Sequence, residues 1–147
     1  MDIIAELQNK EDKKAYTLVK ELVEKSAESS EYYSYFDDFI SLLDDKSSYI
    51  RTRGLVLSCA QARWDKEEKL QTNIELLLSL LHDEKPTVVR QCLAVLHEVV
   101  LYKPELTDRI SLGLTKIDVT KYKESMEPLI KKDIADLKRV LSINMSH

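Results

Sequence analysis

Apolar residues recur along this chain every three or four positions, the spacing that gathers them on one face of an α-helix. Ile3, Ile4 and Leu7 start a short helix behind Asp2, and Ala15, Leu18, Val19, Leu22 and Val23 mark a longer one. Residues 26–31, reading SAESSE, form the most linker-like stretch, with Ser30 placed to cap the next helix. Six residues suit an ordinary helix–helix connection rather than a domain boundary. Over residues 31–44 the apolar stripe of Tyr32, Tyr35, Phe36, Phe39, Ile40, Leu42 and Leu43 is too broad for one-sided burial, so this helix must be covered on more than one side.

A polar turn at 45–48 leads into a helix with Ile50, Gly54, Leu57, Ser58 and Gln61 on one face, ending near Trp64. Asp65 can cap the next helix, whose inner positions are Leu70, Ile74, Leu77, Leu78 and Leu81. Pro86 suits a first helical turn and opens a segment bearing Val88, Cys92, Val95, Leu96 and Val99. Pro104 starts a helix through Leu106, Ile110 and Leu114, and residues 118–124 form a turn. The last helix takes Ser125 as cap, Pro128 in its first turn and Ile130, Ile134, Leu137 and Leu141 as its stripe; the terminal SINMSH is expected to fray.

Composition sharpens this into an all-α reading. The 147 residues are 44% hydrophobic, enough for a single-domain core over 1–147, and 2 Gly with 3 Pro leave little of the turn chemistry that a β-sandwich or barrel needs. About seven or eight helices are expected. No run approaches the ~20 apolar residues of a membrane span, and the N-terminal stretch has acids where a signal peptide carries bases, so no membrane association and a cytoplasmic location are expected. Cys59 and Cys92 read as buried, reduced, small hydrophobes on helix interiors.

Shifting the chain by 38 residues lays Ile40-Ser41-Leu42-Leu43-Asp44-Asp45 over Leu78-Ser79-Leu80-Leu81-His82-Asp83. The same shift pairs Ile50 with Val88, Gly54 with Cys92, Leu55 with Leu93 and Leu57 with Val95. A period near 40 in helical hairpins marks an α-solenoid, whose units stack because none buries its apolar face alone. The stretch from Leu42 through Asp45 to Ile50-Arg51 resembles the HEAT repeat, with the Asp receiving turn amides and the branched residue opening the inner face of the second helix. In the second copy Asp83 and Val88 fit, but the Arg arrives one place late, at Arg90.

The resemblance implies a short right-handed α-solenoid (armadillo-type) of HEAT-like hairpins. Residues 31–64 and 65–101 are its central repeats, and residues 1–26 and 104–143 are atypical caps lacking the Asp…Val-Arg signature. Tyr49 to Leu55, Ala62-Arg63-Trp64-Asp65, Asp83-Glu84-Lys85-Pro86, Arg90-Gln91-Cys92, Lys103-Pro104-Glu105-Leu106 and Ser125 to Leu129 are similar to a group of small bacterial HEAT-like proteins. That group is often labelled SufBD-type, after iron–sulfur assembly proteins. An iron–sulfur cluster takes about four thiolates and this chain has 2 Cys, so no cofactor is expected on it.

Acids and bases nearly cancel at −4, against unspecific polyanion binding, but residues 1–50 hold 12 acids and 6 bases, whereas all six arginines follow position 50. The densest candidate site is therefore Arg51, Arg53, Arg63 and Trp64, with Lys85 and Arg90 in the corresponding part of the next unit. Guanidinium groups bind carboxylate or phosphate in bidentate fashion, and a Trp adds a large apolar anchor. The alternative use is structural: Arg51 and Arg90 pairing with turn acids such as Asp45 and Asp83, and Trp64 filling the gap between hairpins.

Other chemistry is thinly represented. His82, Asp83, Cys92, His97 and Glu98 lack the spacing of a metal site, and no nucleophile lies in a Gly-rich elbow. Tyr32, Tyr33, Tyr35 and Phe36 are expected to pack under neighbouring helices, and Lys121, Lys123, Lys131, Lys132, Lys138 and Arg139 to form a solvated face offset by nearby acids. The expected role is a non-enzymatic scaffold holding a protein or acidic peptide segment on the concave face lined by second helices. The alternative is nucleic-acid binding in the manner of HEAT-type DNA glycosylases.

Overall fold

A computed structural model of the chain describes residues 2–145. Those residues are all-helical, with no strand among them, and fall into two compact units, Met1–Asn73 and Ile74–His147. The first unit contains α1 (Ile3–Leu7), α2 (Asp12–Ser26), α3 (Phe36–Ser41), α4 (Ser48–Cys59) and α5 (Lys69–Thr72). The second contains α6 (Ile74–Ser79), α7 (Pro86–Tyr102), α8 (Thr107–Leu114) and α9 (Glu127–Met145). Short 3-10 turns join several of them, at Glu31–Tyr35, Ala62–Trp64, Leu80–His82, Pro104–Leu106 and Val119–Lys121. Among the described residues no helix is long and apolar enough to cross a membrane.

Most helix starts follow the sequence, and the exceptions have local causes. Asp2 receives the amides of Ile4 and Ala5 as expected. Ser30 makes no side-chain cap; Ser29 Oγ accepts from the Glu31 amide instead, and the aromatic stretch begins as a 3-10 turn before α3. Pro104 likewise opens a 3-10 turn, with α8 starting at Thr107. At α9 the carbonyl of Lys123, not the Ser125 hydroxyl, accepts the amides of Met126 and Glu127. Of the tail expected to fray, residues 142–145 are in α9 and the last two lie outside the described residues.

The helix expected at 65–81 is broken, which is why nine helices stand among the described residues rather than seven or eight. Asn73 Nδ2 donates to the Lys69 carbonyl at 2.8 Å, a side-chain bond that competes with continuation of the helix, and α5 ends there. Asp65 does cap, from a distance. Its carboxylate is 4% exposed and accepts from the amides of Lys69 and Leu70, both at 2.9 Å, and from Tyr33 Oη at 2.6 Å. These bonds hold the chain while Glu68 adopts φ 55°, a left-handed conformation that costs a residue with a Cβ about 1 kcal/mol or more.

The hairpin repeat is carried by matching bonds. Helices α3 and α6 begin 38 residues apart, as do α4 and α7. Asp45 Oδ1 accepts the Ser47 amide and Asp83 Oδ1 the Lys85 amide, both at 2.9 Å. Ser41 Oγ donates to the Asp38 carbonyl and Ser79 Oγ to that of Leu76. The same turn occurs once more, in the segment read from sequence as an atypical cap: Asn9 Oδ1 accepts the Glu11 amide at 2.8 Å, just before α2. In all three hairpins a buried leucine, Leu7, Leu43 or Leu81, stands two residues before the Asn or Asp.

Within the first unit, Leu7, Leu22, Tyr32, Phe39, Leu42, Ile50 and Leu57 form a continuous core. Helices α3 and α4 approach so closely that a Cβ at Gly54 would lie 2.5 Å from the Phe39 carbonyl oxygen and 2.8 Å from Leu42 Cβ. Only glycine fits that crossing. In the second unit Gly113 of α8 lies against the flexible end of Leu78, a looser approach.

Candidate functional site

The arginines of α4 point into the protein. Arg51 is 9% exposed, and its Nη1 donates to the carbonyls of Asp45 at 2.9 Å and Lys46 at 3.1 Å, closing the turn before its own helix. Arg53 is 5% exposed; its Nη1 donates to the carbonyls of Leu7 at 2.8 Å and Asn9 at 2.9 Å, and its Nη2 pairs with Asp12 at 3.2 Å. It thus ties the α1–α2 turn and the first turn of α2 to α4. A buried guanidinium satisfied in this way is part of the framework, because a ligand could take its donors only by leaving main-chain carbonyls unpaired.

Arg63 and Trp64 serve the opposite end of α4. Arg63 is exposed and donates to the Ala27 carbonyl, while Trp64 Nε1 donates to the Ser26 carbonyl at 2.7 Å. Gln61, wholly buried, donates to Ser26 Oγ at 3.0 Å and to the Leu57 carbonyl. These three residues fasten the end of α2. The 12 residues of α4 span about 18 Å, so Arg51 and Arg53 do not converge with Arg63 and Trp64 on one ligand-sized spot.

In the second unit Lys85 is exposed at the N-cap of α7 and its ammonium has no partner among the described residues. Arg90 is half-buried and pairs with Asp133 of α9 through Nε at 2.6 Å and Nη2 at 3.4 Å; hydrogen bonding to Asp133 raises the guanidinium pKa. Its acid is therefore on α9, rather than the turn acid Asp83. The Asp83 and His82 carbonyls accept from Tyr122 Oη and Lys121 Nζ, so this turn is tied by the segment before α9.

Six of the 7 tyrosines divide into two sets. Tyr32 is buried, Tyr35 stacks on Phe39, and Tyr33 and Tyr122 are hydrogen-bonded framework residues. Burial, reinforced by the Asp65 hydrogen bond, holds the Tyr33 phenol well above its usual pKa, and burial pushes Tyr122 up to about 12. Tyr16 and Tyr49, by contrast, are 64% and 62% exposed, and neither hydroxyl has a hydrogen-bond partner among the described residues. Neither was among the site residues expected from the sequence. The available signal was position: Tyr16 lies outside the apolar stripe of α2, and Tyr49 precedes the first inward residue of α4.

Among the described residues there is no group of three or more His, Cys, Asp or Glu that could hold a metal ion. Cys92 Sγ lies 3.5 Å from the Leu77 carbonyl, as a small core residue would, and His97 lines a small concavity between α7 and α9 with Leu93, Ala94, Asp133 and Asp136. A second, open concavity in this unit is lined by Pro104, Glu105, Thr107, Asp108, Asn144 and Met145. No family model, curated protein or solved structure matches the chain.

Proposed function

We propose that this chain is a non-enzymatic, HEAT-like interaction module of stacked helical hairpins that binds a protein segment along its second helices. The single observation that supports the reading is the threefold recurrence of one hairpin turn, at Asn9, Asp45 and Asp83, in which the side-chain oxygen accepts the amide two residues on and a buried leucine stands two residues before. Hairpins of one kind each leave a helix face to solvent and not an enclosed cavity, and this suits recognition of another polypeptide. Tyr33 and Tyr122, whose pKa values are displaced furthest, are engaged in framework bonds, which leaves the exposed faces to carry recognition.

The test is capture with the full chain bearing a photo-cross-linker, followed by mapping of the cross-linked peptides. The expected outcome is a defined protein partner attached to exposed positions of α2, α4 or α7. A partner attached only to first helices such as α3 and α6, or no specific partner, would refute the reading.

A further inference from the structure

The outer flank of α2, together with the first turn of α4, carries a set of side chains that the fold does not use. Lys13, Tyr16 and Lys20 are spaced i, i+3, i+7 and so lie along one line of α2; all three are exposed. Tyr49 stands one turn before Arg53 on the same stripe of α4, and Arg53 reaches Leu7, Asn9 and Asp12 at the start of α2. Tyr49 is therefore one helical turn from the residue that ties α4 to the start of α2. Lys10 and Lys46, exposed in the turns before α2 and α4, occupy equivalent places in their hairpins.

Two of the lysines of α2 are paired. Lys14 pairs with Glu11 at 3.5 Å and Lys25 with Glu21 at 2.9 Å on the other side of the helix. Lys10, Lys13, Lys20 and Lys46 have no carboxylate partner among the described residues. The acids next to this set are Asp12, held by Arg53, Glu11, held by Lys14, Glu21, held by Lys25, Glu24, which continues the α2 line one turn beyond Lys20, and Asp44 and Asp45 just before Lys46, Asp45 accepting the Ser47 amide. Two open tyrosines among unpaired ammonium groups match an occupant with carboxylates and one or two apolar side chains, because Tyr supplies contact area at small entropic cost.

Resting on the proposed interaction role, we infer that the Lys13–Tyr16–Lys20 line with Tyr49 is the docking surface, and that its occupant is an acidic peptide segment of a partner protein. A long polyanion fits less well. The chain carries −4 overall, and Glu31, Asp37, Asp38 and Asp44 are exposed in the same unit, where no base occurs between residues 26 and 45.

The experiment is fluorescence anisotropy with the full chain and a fluorescein-labelled peptide of Asp and Glu around a central Leu-Phe pair. A single-stranded oligonucleotide of equal charge is the competing probe. The expected result is saturable, salt-weakened peptide binding that falls about tenfold in Lys13→Glu/Lys20→Glu and by a similar factor in Tyr16→Ala/Tyr49→Ala. The double variant Lys14→Glu/Lys25→Glu, with the same change in net charge on the other flank, should bind the peptide like the parent. All six positions are exposed, and a thermal melt by circular dichroism confirms that each variant is folded.

Equal losses in the two lysine variants, no loss in either test variant, no saturable peptide binding, or tighter binding of the oligonucleotide would each overturn the inference. The first three outcomes, found together with a captured partner cross-linked to second helices elsewhere, would leave the interaction role standing and reject only this surface and occupant.

Discussion

The hairpins α3–α4 and α6–α7 share a backbone plan and differ in how it is locked. Both close their turn with an aspartate, and both bring the second helix against the first at the same point. At that point α4 has Gly54 under the Phe39 carbonyl, whereas α7 has Cys92, whose thiol reaches the equivalent carbonyl of Leu77. Three places earlier, α4 has buried Arg51 where α7 has buried Val89, and one place earlier it has buried Arg53 where α7 has exposed Gln91. The difference teaches that turn closure and helix approach belong to the repeat, while the outer ties are local: Arg53 for the α1–α2 turn, Lys121 and Tyr122 for the α6–α7 turn.

The comparison would break first at Arg53. Arg53→Ala leaves two carbonyls and the Asp12 carboxylate without their donor, and should cost about 3 kcal/mol, whereas Gln91→Ala at the equivalent exposed position should stay within about 0.5 kcal/mol. Urea unfolding with amide exchange read separately on α4 and α7 measures both; equal costs would contradict the division into repeat and tie.

Next in size is the helix crossing. Gly54→Ala forces backbone apart and should cost about 2 kcal/mol even after the better helix propensity of alanine, while Cys92→Ala leaves a small void costing about 1 kcal/mol. A neutral Gly54→Ala would mean that α3 and α4 have room the structure does not show.

The shared turn gives a sharper test at smaller amplitude. Asn9→Ala, Asp45→Ala and Asp83→Ala each remove one side-chain-to-amide bond, and about 1 kcal/mol is expected from each. A loss at Asp45 and Asp83 with none at Asn9 would remove the first hairpin from the repeat.

A separate test uses pH. Burial raises the Tyr122 pKa from 10.0 to about 12, so the neutral phenol is favoured in the folded state. Its contribution is fully present below pH 10 and is lost as the pH rises towards 12, where the folded form also ionises. Tyr122→Phe should flatten that part of the alkaline stability curve, leaving the Tyr33 contribution, and an unchanged curve would argue that Tyr122 is not buried on Asp83.

The all-helical class, the 38-residue period and the positions of Asp45, Asp65 and Asp83 in turns and caps were legible from sequence alone. Apolar spacing and short-range side-chain-to-amide bonds are local properties of a chain. The first hairpin reads from sequence as an atypical cap, and its shared turn is not legible there, because Asn9 does the work of an aspartate and no Val-Arg comes after it.

The fate of the arginines was decided by tertiary structure. Nothing local distinguishes a guanidinium aimed at solvent from one, like that of Arg53, whose acceptors lie 44 and 46 residues away. The same holds for Tyr16 and Tyr49: an aromatic ring is core or surface according to which helix arrives to cover it, and for these two none does within their unit.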